Sequence, residues 1–129
     1  IFNIDNIVFA SDFKEESKAT YLKAIEFTKL LEAKLHLLTV NTPNRFITTE
    51  HANDRMQDFA NASNFSNYSI NIYNDVTIEK GIMNFSQSVN ADLIGMSTHG
   101  RQGISHFFNG SISEDLVNHA KRPVITFKI

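Results

Sequence analysis

Apolar positions along the chain fall into two alternating patterns, short unbroken runs and stripes of helical period. Asn6 to Ser11 (NIVFAS) is an apolar run ending at Asp12, as expected of a strand buried on both faces. From Glu15 to Ala33 the period changes: Tyr21, Ala24, Ile25, Thr28 and Leu31 share one helical stripe. Asp12 and Glu15 have the spacing of a capping box, with Ser11 as the alternative cap. Lys34 to Val40 (KLHLLTV) reads as a second buried strand, stopped by Asn41-Thr42-Pro43. Asn44 to Asn67 is polar and Asn-rich, and reads as a loop and one modest helix with Met56, Phe59, Ala60 and Ser63 inward. Tyr68 to Tyr73 alternates, which predicts a third strand near a sheet edge. Ile78, Ile82, Phe85 and Val89 mark the next helix, although Gly81 inside it is unfavourable.

The last third is the most telling. Asp92 to Met96 reads as a fourth buried strand, Ser97 to Asn109 as a glycine-punctuated loop, and Gly110 to Lys121 as a helix carrying Ile112, Leu116, Val117 and Ala120. Pro123 ends that helix, and Val124 to Ile129 forms a fifth strand. Strands alternating with helices predict an α/β fold, a single three-layer domain with a parallel sheet covered on both faces. With strand one central, strands two and three lie on one side and four and five on the other. Ligands of such sheets bind beyond the carboxyl ends of the strands, where strand order reverses. The crevice then falls between Ser11-Asp12 and the segment from Ser97 to Gly110.

Composition narrows the function classes. The chain has 129 residues, 42% of them hydrophobic, with eleven Phe, and so can bury one core. Its formal charge of −2 is spread without a basic block, which argues against nucleic acid or a membrane surface as main partner. There is no spanning apolar run and no secretory pattern. The absence of cysteine removes thiol and Cys-zinc chemistry and fits a cytoplasmic protein. The chain opens at Ile1 without Met, as a trimmed chain or a domain of a longer protein would.

Gly100, a nine-residue spacer, Gly110 and Ser111 supply the parts of a phosphate cradle. The first N–H groups of a helix lack internal partners, and the helix dipole places partial positive charge there. Each part also has a structural explanation. Asp12 can be a helix cap, and Ser111 and Glu114 form a capping box; Arg101 is a candidate to pair with a phosphate, although a lone loop arginine is ordinarily solvated. His36, His51, His99, His106 and His119 show no metal-ligand spacing. Neither a G-x-S-x-G elbow nor a G-x4-G-K-[ST] loop is present. Phe107 and Phe108 read as packing residues.

NIVFASDF at the start, AKLHLLTV in the second strand and ADLIGMSTHGRQGISHFFNGSISEDLVNHAKRPVI at the end resemble the universal stress protein family over nearly the whole chain. The resemblance implies a five-stranded parallel sheet of order 3-2-1-4-5 with helices on both faces. It makes residues 1–129 one such domain, or one domain of a longer tandem chain. Family members with the motif G-x2-G-x9-G-[ST] bind ATP. Here Gly100, Gly110 and Ser111 match it, and Ser97 replaces the first glycine. A positive φ at Ser97 would cost a non-glycine residue about 1–2 kcal/mol. Position by position, Asp12 matches the carboxylate on the adenosine half and Val40 the residue whose backbone meets the adenine edge. Gly100, Gly110, Ser111 and Ile112 match the phosphate-loop and helix-start positions.

The expectation is therefore a stress-response module that binds ATP (or ADP or AMP) with Mg²⁺ on the phosphates, hydrolysing it slowly at most. It would form a homodimer, or pair with a sister domain, through strand 124–129. The alternative is a dimeric interaction module with a vestigial pocket disabled at Ser97. A metabolic enzyme of related fold lacks catalytic candidates.

Overall fold

The computed structural model describes residues 3–98 and 122–128. Side chains of Thr98 and Lys128 are not described. The strands are β1 (Asn6–Ala10), β2 (Lys34–Asn41), β3 (Tyr68–Asn74), β4 (Leu93–Thr98) and β5 (Val124–Lys128). The helices are α1 (Lys18–Leu31), α2 (Thr49–Ala60) and α3 (Ile78–Ser88). The strands form one sheet in the order β3-β2-β1-β4-β5, with every pairing parallel, as the sequence predicts. The expected helix over 110–121 lies outside the described residues.

β1 sits at the centre because both its faces are apolar. Val8 and Ala10 point to one layer, where Leu38 and Val40 of β2 and Ile94 and Met96 of β4 meet Ile78, Ile82 and Phe85 of α3. Ile7 and Phe9 point to the other layer, where Leu35, Leu37 and Leu93 meet Tyr21, Ala24 and Ile25 of α1 and Met56 and Phe59 of α2. One sheet thus carries two cores. Phe9, Phe13, Tyr21 and Phe59 pack as edge-to-face or tilted rings with centroids 5.2–6.1 Å apart. β3 is an edge strand, as its alternation predicts; Tyr68, Ile70 and Ile72 join the α1–α2 core and Tyr73 the α3 core.

Four local expectations are corrected. The first helix does not start at Glu15: residues Glu15–Ser17 form a 3-10 turn, and α1 begins at Lys18. No capping box links Asp12 to Glu15, because the Asp12 carboxylate closes a turn onto the Lys14 N–H at 3.1 Å. The fourth strand runs past Met96 to Thr98, so Ser97 is a strand residue and not the first residue of a loop. In the second helix Met56, Phe59 and Ala60 are buried as expected, but Ser63 lies beyond its end and Ala52 takes the fourth inward place. Among the described residues no helix is long and apolar enough to cross a membrane.

Candidate functional site

The site begins where the chain leaves the central strand. Ser11 is buried, and its Oγ accepts from the Phe13 N–H at 3.0 Å. Asp12 Oδ1 accepts from Lys14 N–H and, at 3.5 Å, from Ser17 Oγ. These short side-chain caps let the backbone double back, with Phe13 in the left-handed region at φ 55°. A bulky residue there stores strain of about 1–2 kcal/mol. Its ring is buried against Phe9 and Phe59, and that packing holds the turn. The turn leaves Asp12 half-buried at the carboxyl end of β1.

The opposing wall comes from the chain after β2. Thr42 bridges to Arg45, and Asn41 Oδ1 accepts from the Ile47 N–H at 2.9 Å, folding residues 42–47 over the strand end. Thr48 then caps α2, its hydroxyl accepting from the His51 N–H at 3.2 Å. Thr48, His51, Ala52, Arg55 and Met56 recur at helical spacing, so one face of α2 is turned toward Asp12. Arg55 Nη1 donates to the Asp12 carbonyl at 3.5 Å.

Between these walls lies a cleft of about 620 Å³. Asp12, Phe13 and Lys14 line it from the turn after β1, Thr39 and Val40 from β2, and Asn44 to Ile47 from the loop. Its size falls within the range of small-molecule sites, about 300–1,000 Å³. Apolar Val40, Ile47, Phe46 and Met56 can cover a flat ring. Asp12 can accept hydroxyl or amine hydrogens, and backbone groups at the strand ends can read a ring edge. Phe46, 73% exposed, stands in this lining as a large apolar group open to solvent.

Of the residues singled out in sequence, the cleft brings together Asp12 and Val40. Ser97 lies apart from its described lining: the side chain is buried toward α1, with Oγ 2.5 Å from Thr20 Oγ1. Thr20 gives its own hydrogen to the Ser17 carbonyl at 2.8 Å, so Ser97 is the donor. The anticipated strain at a non-glycine 97 does not arise, since Ser97 is extended within β4 and pairs with Phe127. Gly100, Arg101, Gly110, Ser111 and Ile112 lie outside the described residues, as do His99, His106, His119, Phe107 and Phe108.

Sequence reading missed Lys14, Arg45, Phe46, His51 and Arg55. Their signal is positional, because α2 presents a polar face to the cleft and no apolar stripe reveals it. His36 sits elsewhere, buried between Asn6 and Ser69 at the amino ends of the strands. Burial, and then nearby Lys34, hold its imidazole below its ordinary range. Among the described residues no three His, Asp or Glu side chains group closely enough to hold a metal ion.

The fold and the sequence converge in comparisons with known proteins. The universal stress protein family model matches residues 73–128. A Staphylococcus aureus (strain USA300) protein bearing the universal stress protein name is 24% identical over 140 residues, covering 95% of this chain and 83% of that protein. The universal stress protein UspA of Lactobacillus plantarum has the same fold, with a TM-score of 0.76 at 21% identity, over 98% of this chain and 99% of that one. A universal stress protein crystallised in complex with cAMP superposes with a TM-score of 0.74 at 15% identity over 98% of both chains. The matching model, the named relatives and the shared fold all make this chain similar to the universal stress proteins, in sequence over residues 73–128 and in fold over nearly its whole length.

Proposed function

We propose that the protein is a stress-response module that binds an adenine nucleotide, with ATP as the favoured ligand. The observation that carries this reading is the cleft at the carboxyl ends of β1 and β2, with Asp12 and Val40 in one lining. It lies beyond the carboxyl ends of parallel strands, the usual ligand side of such sheets, on the β2 side of the β1–β4 point where strand order reverses. The complex of a related fold with cAMP supports the same ligand class.

In this reading the base edge meets the Val40 backbone and the Asp12 carboxylate accepts from the sugar. Gly100, Arg101, Gly110, Ser111 and Ile112 receive the phosphates, which bring Mg²⁺ with them. Ser97 takes part through its backbone at the end of β4, because its hydroxyl is committed to Thr20. The protein works in the cytoplasm as a homodimer, or beside a sister domain, through the β5 edge. The test is to denature purified protein and chromatograph the supernatant for released nucleotide, then add Mg-ATP to nucleotide-free protein and follow melting. ATP or ADP near one per chain, or a melting shift of several degrees, supports the reading. An empty supernatant with no shift contradicts it.

A further inference from the structure

Resting on the nucleotide reading, we propose that the α2 side of the cleft takes a second anionic group. The preferred ligand is then a nucleoside bisphosphate, phosphorylated at both ends of its sugar, and not a nucleoside with phosphate at one end.

Among the described residues, three cations, Lys14, Arg45 and Arg55, line the cleft against one carboxylate, Asp12, with His51 beside them. The chain as a whole is net negative, at −2, so this is a local reversal of sign. The cations come from three separate segments: the turn after β1, the 42–48 loop and the face of α2. One carboxylate charge at Asp12 does not offset three cations. Arg55 is half-buried, and its one hydrogen bond to another described residue is the 3.5 Å contact to the Asp12 carbonyl. Lys18, close by on α1, is by contrast paired with both Glu15 and Asp58. A half-buried guanidinium with donors to spare, at the wall of a cleft, suits a phosphoryl group held at two oxygens.

Topology separates this position from the phosphates of the basic reading. The cations stand on the β2 side of β1, whereas the 99–121 segment follows β4 on the other side. At the usual strand spacing, the ends of β2 and β4 are about 10 Å apart. That is close to a Debye length at moderate salt, so phosphate at one place only weakly neutralises charge at the other.

The experiment is calorimetric titration of nucleotide-free protein with ATP, AMP and adenosine 3′,5′-bisphosphate at about 0.1 M salt. The bisphosphate is expected to bind about tenfold tighter than AMP. Arg55→Gln is expected to reduce that ratio to about two, and Arg45→Gln to reduce it in part, in variants that still unfold cooperatively. A ratio near one in the wild type, or one unchanged in both variants, overturns the inference while ATP binding leaves the nucleotide reading standing. Failure of all three ligands to bind overturns both.

Discussion

A Cβ placed on Gly81 would collide with Val40 Cγ1 and come within 2.9 Å of Cγ2. Val40 is β-branched and buried, so it has little room to yield. Gly81→Ala gains up to about 1 kcal/mol of helix propensity and loses about 1–3 kcal/mol to overpacking. The expected outcome is a net loss of about 1 kcal/mol in urea unfolding, partly restored by adding Val40→Ala. In sequence this glycine looked like a flaw in a helix, because its reason lies on a strand about forty residues away. Ser97 shows the same limit. Its place in a glycine motif suggested strain in a loop, yet among the described residues positive φ falls at Phe13, Glu32 and Asn90, and at the bulky Phe13 no local signal calls for it. Ser97→Gly should therefore cost about 1 kcal/mol, from the lost Thr20 hydrogen bond, without tightening ATP binding. A clear gain in affinity would show that the loop reading was right. Asp12→Asn keeps an oxygen for the Lys14 N–H while removing the charge, so melting should hold and ATP affinity should fall about tenfold.

The elements that were legible are those whose neighbours are apolar. The stripe of α1, the spacing of α3 and the unbroken runs of β1 and β2 each record a buried face, and each appears where periodicity placed it. α2 and the 42–48 loop were poorly legible because they turn polar side chains toward a cleft, and the cations of that wall carry no period. Asp12 and Val40 could be named in advance through family resemblance; Arg45 and Arg55 could not. His36 ties three strands together. Its Nε2–H donates to Asn6 Oδ1 at 3.0 Å, leaving Nδ1 to accept from the Ser69 hydroxyl at 3.1 Å. Because the folded protein holds this imidazole below the ordinary value of about 6.5, the unfolded chain takes up the proton first as pH falls. Stability is fully present above that value and is lost below it, toward the folded-state pKa. Melting temperature should thus fall more steeply between pH 7 and 5.5 in the wild type than in His36→Gln. Parallel curves would show that His36 is not the group responsible.

For the whole molecule, the order β3-β2-β1-β4-β5 makes β1 the hinge of the architecture and puts its carboxyl end at the site. The same order leaves β5 as an edge, with Val124, Ile125 and Phe127 only half-buried. Such an edge normally needs a cover. Light scattering is expected to give twice the 14.6 kDa chain mass, and a monomer mass would count against self-pairing through this strand. The central claim is that the cleft between β1, β2 and α2 holds the nucleotide. An amide-resolved NMR titration of nucleotide-free protein with Mg-ATP tests it most directly. Shifts concentrated at Asp12, Val40, Ile47 and Ala52, with Asn6 and Lys34 at the opposite strand ends unmoved, are the predicted result. Saturating ATP that leaves those four amides in place, or moves residues elsewhere instead, would contradict it.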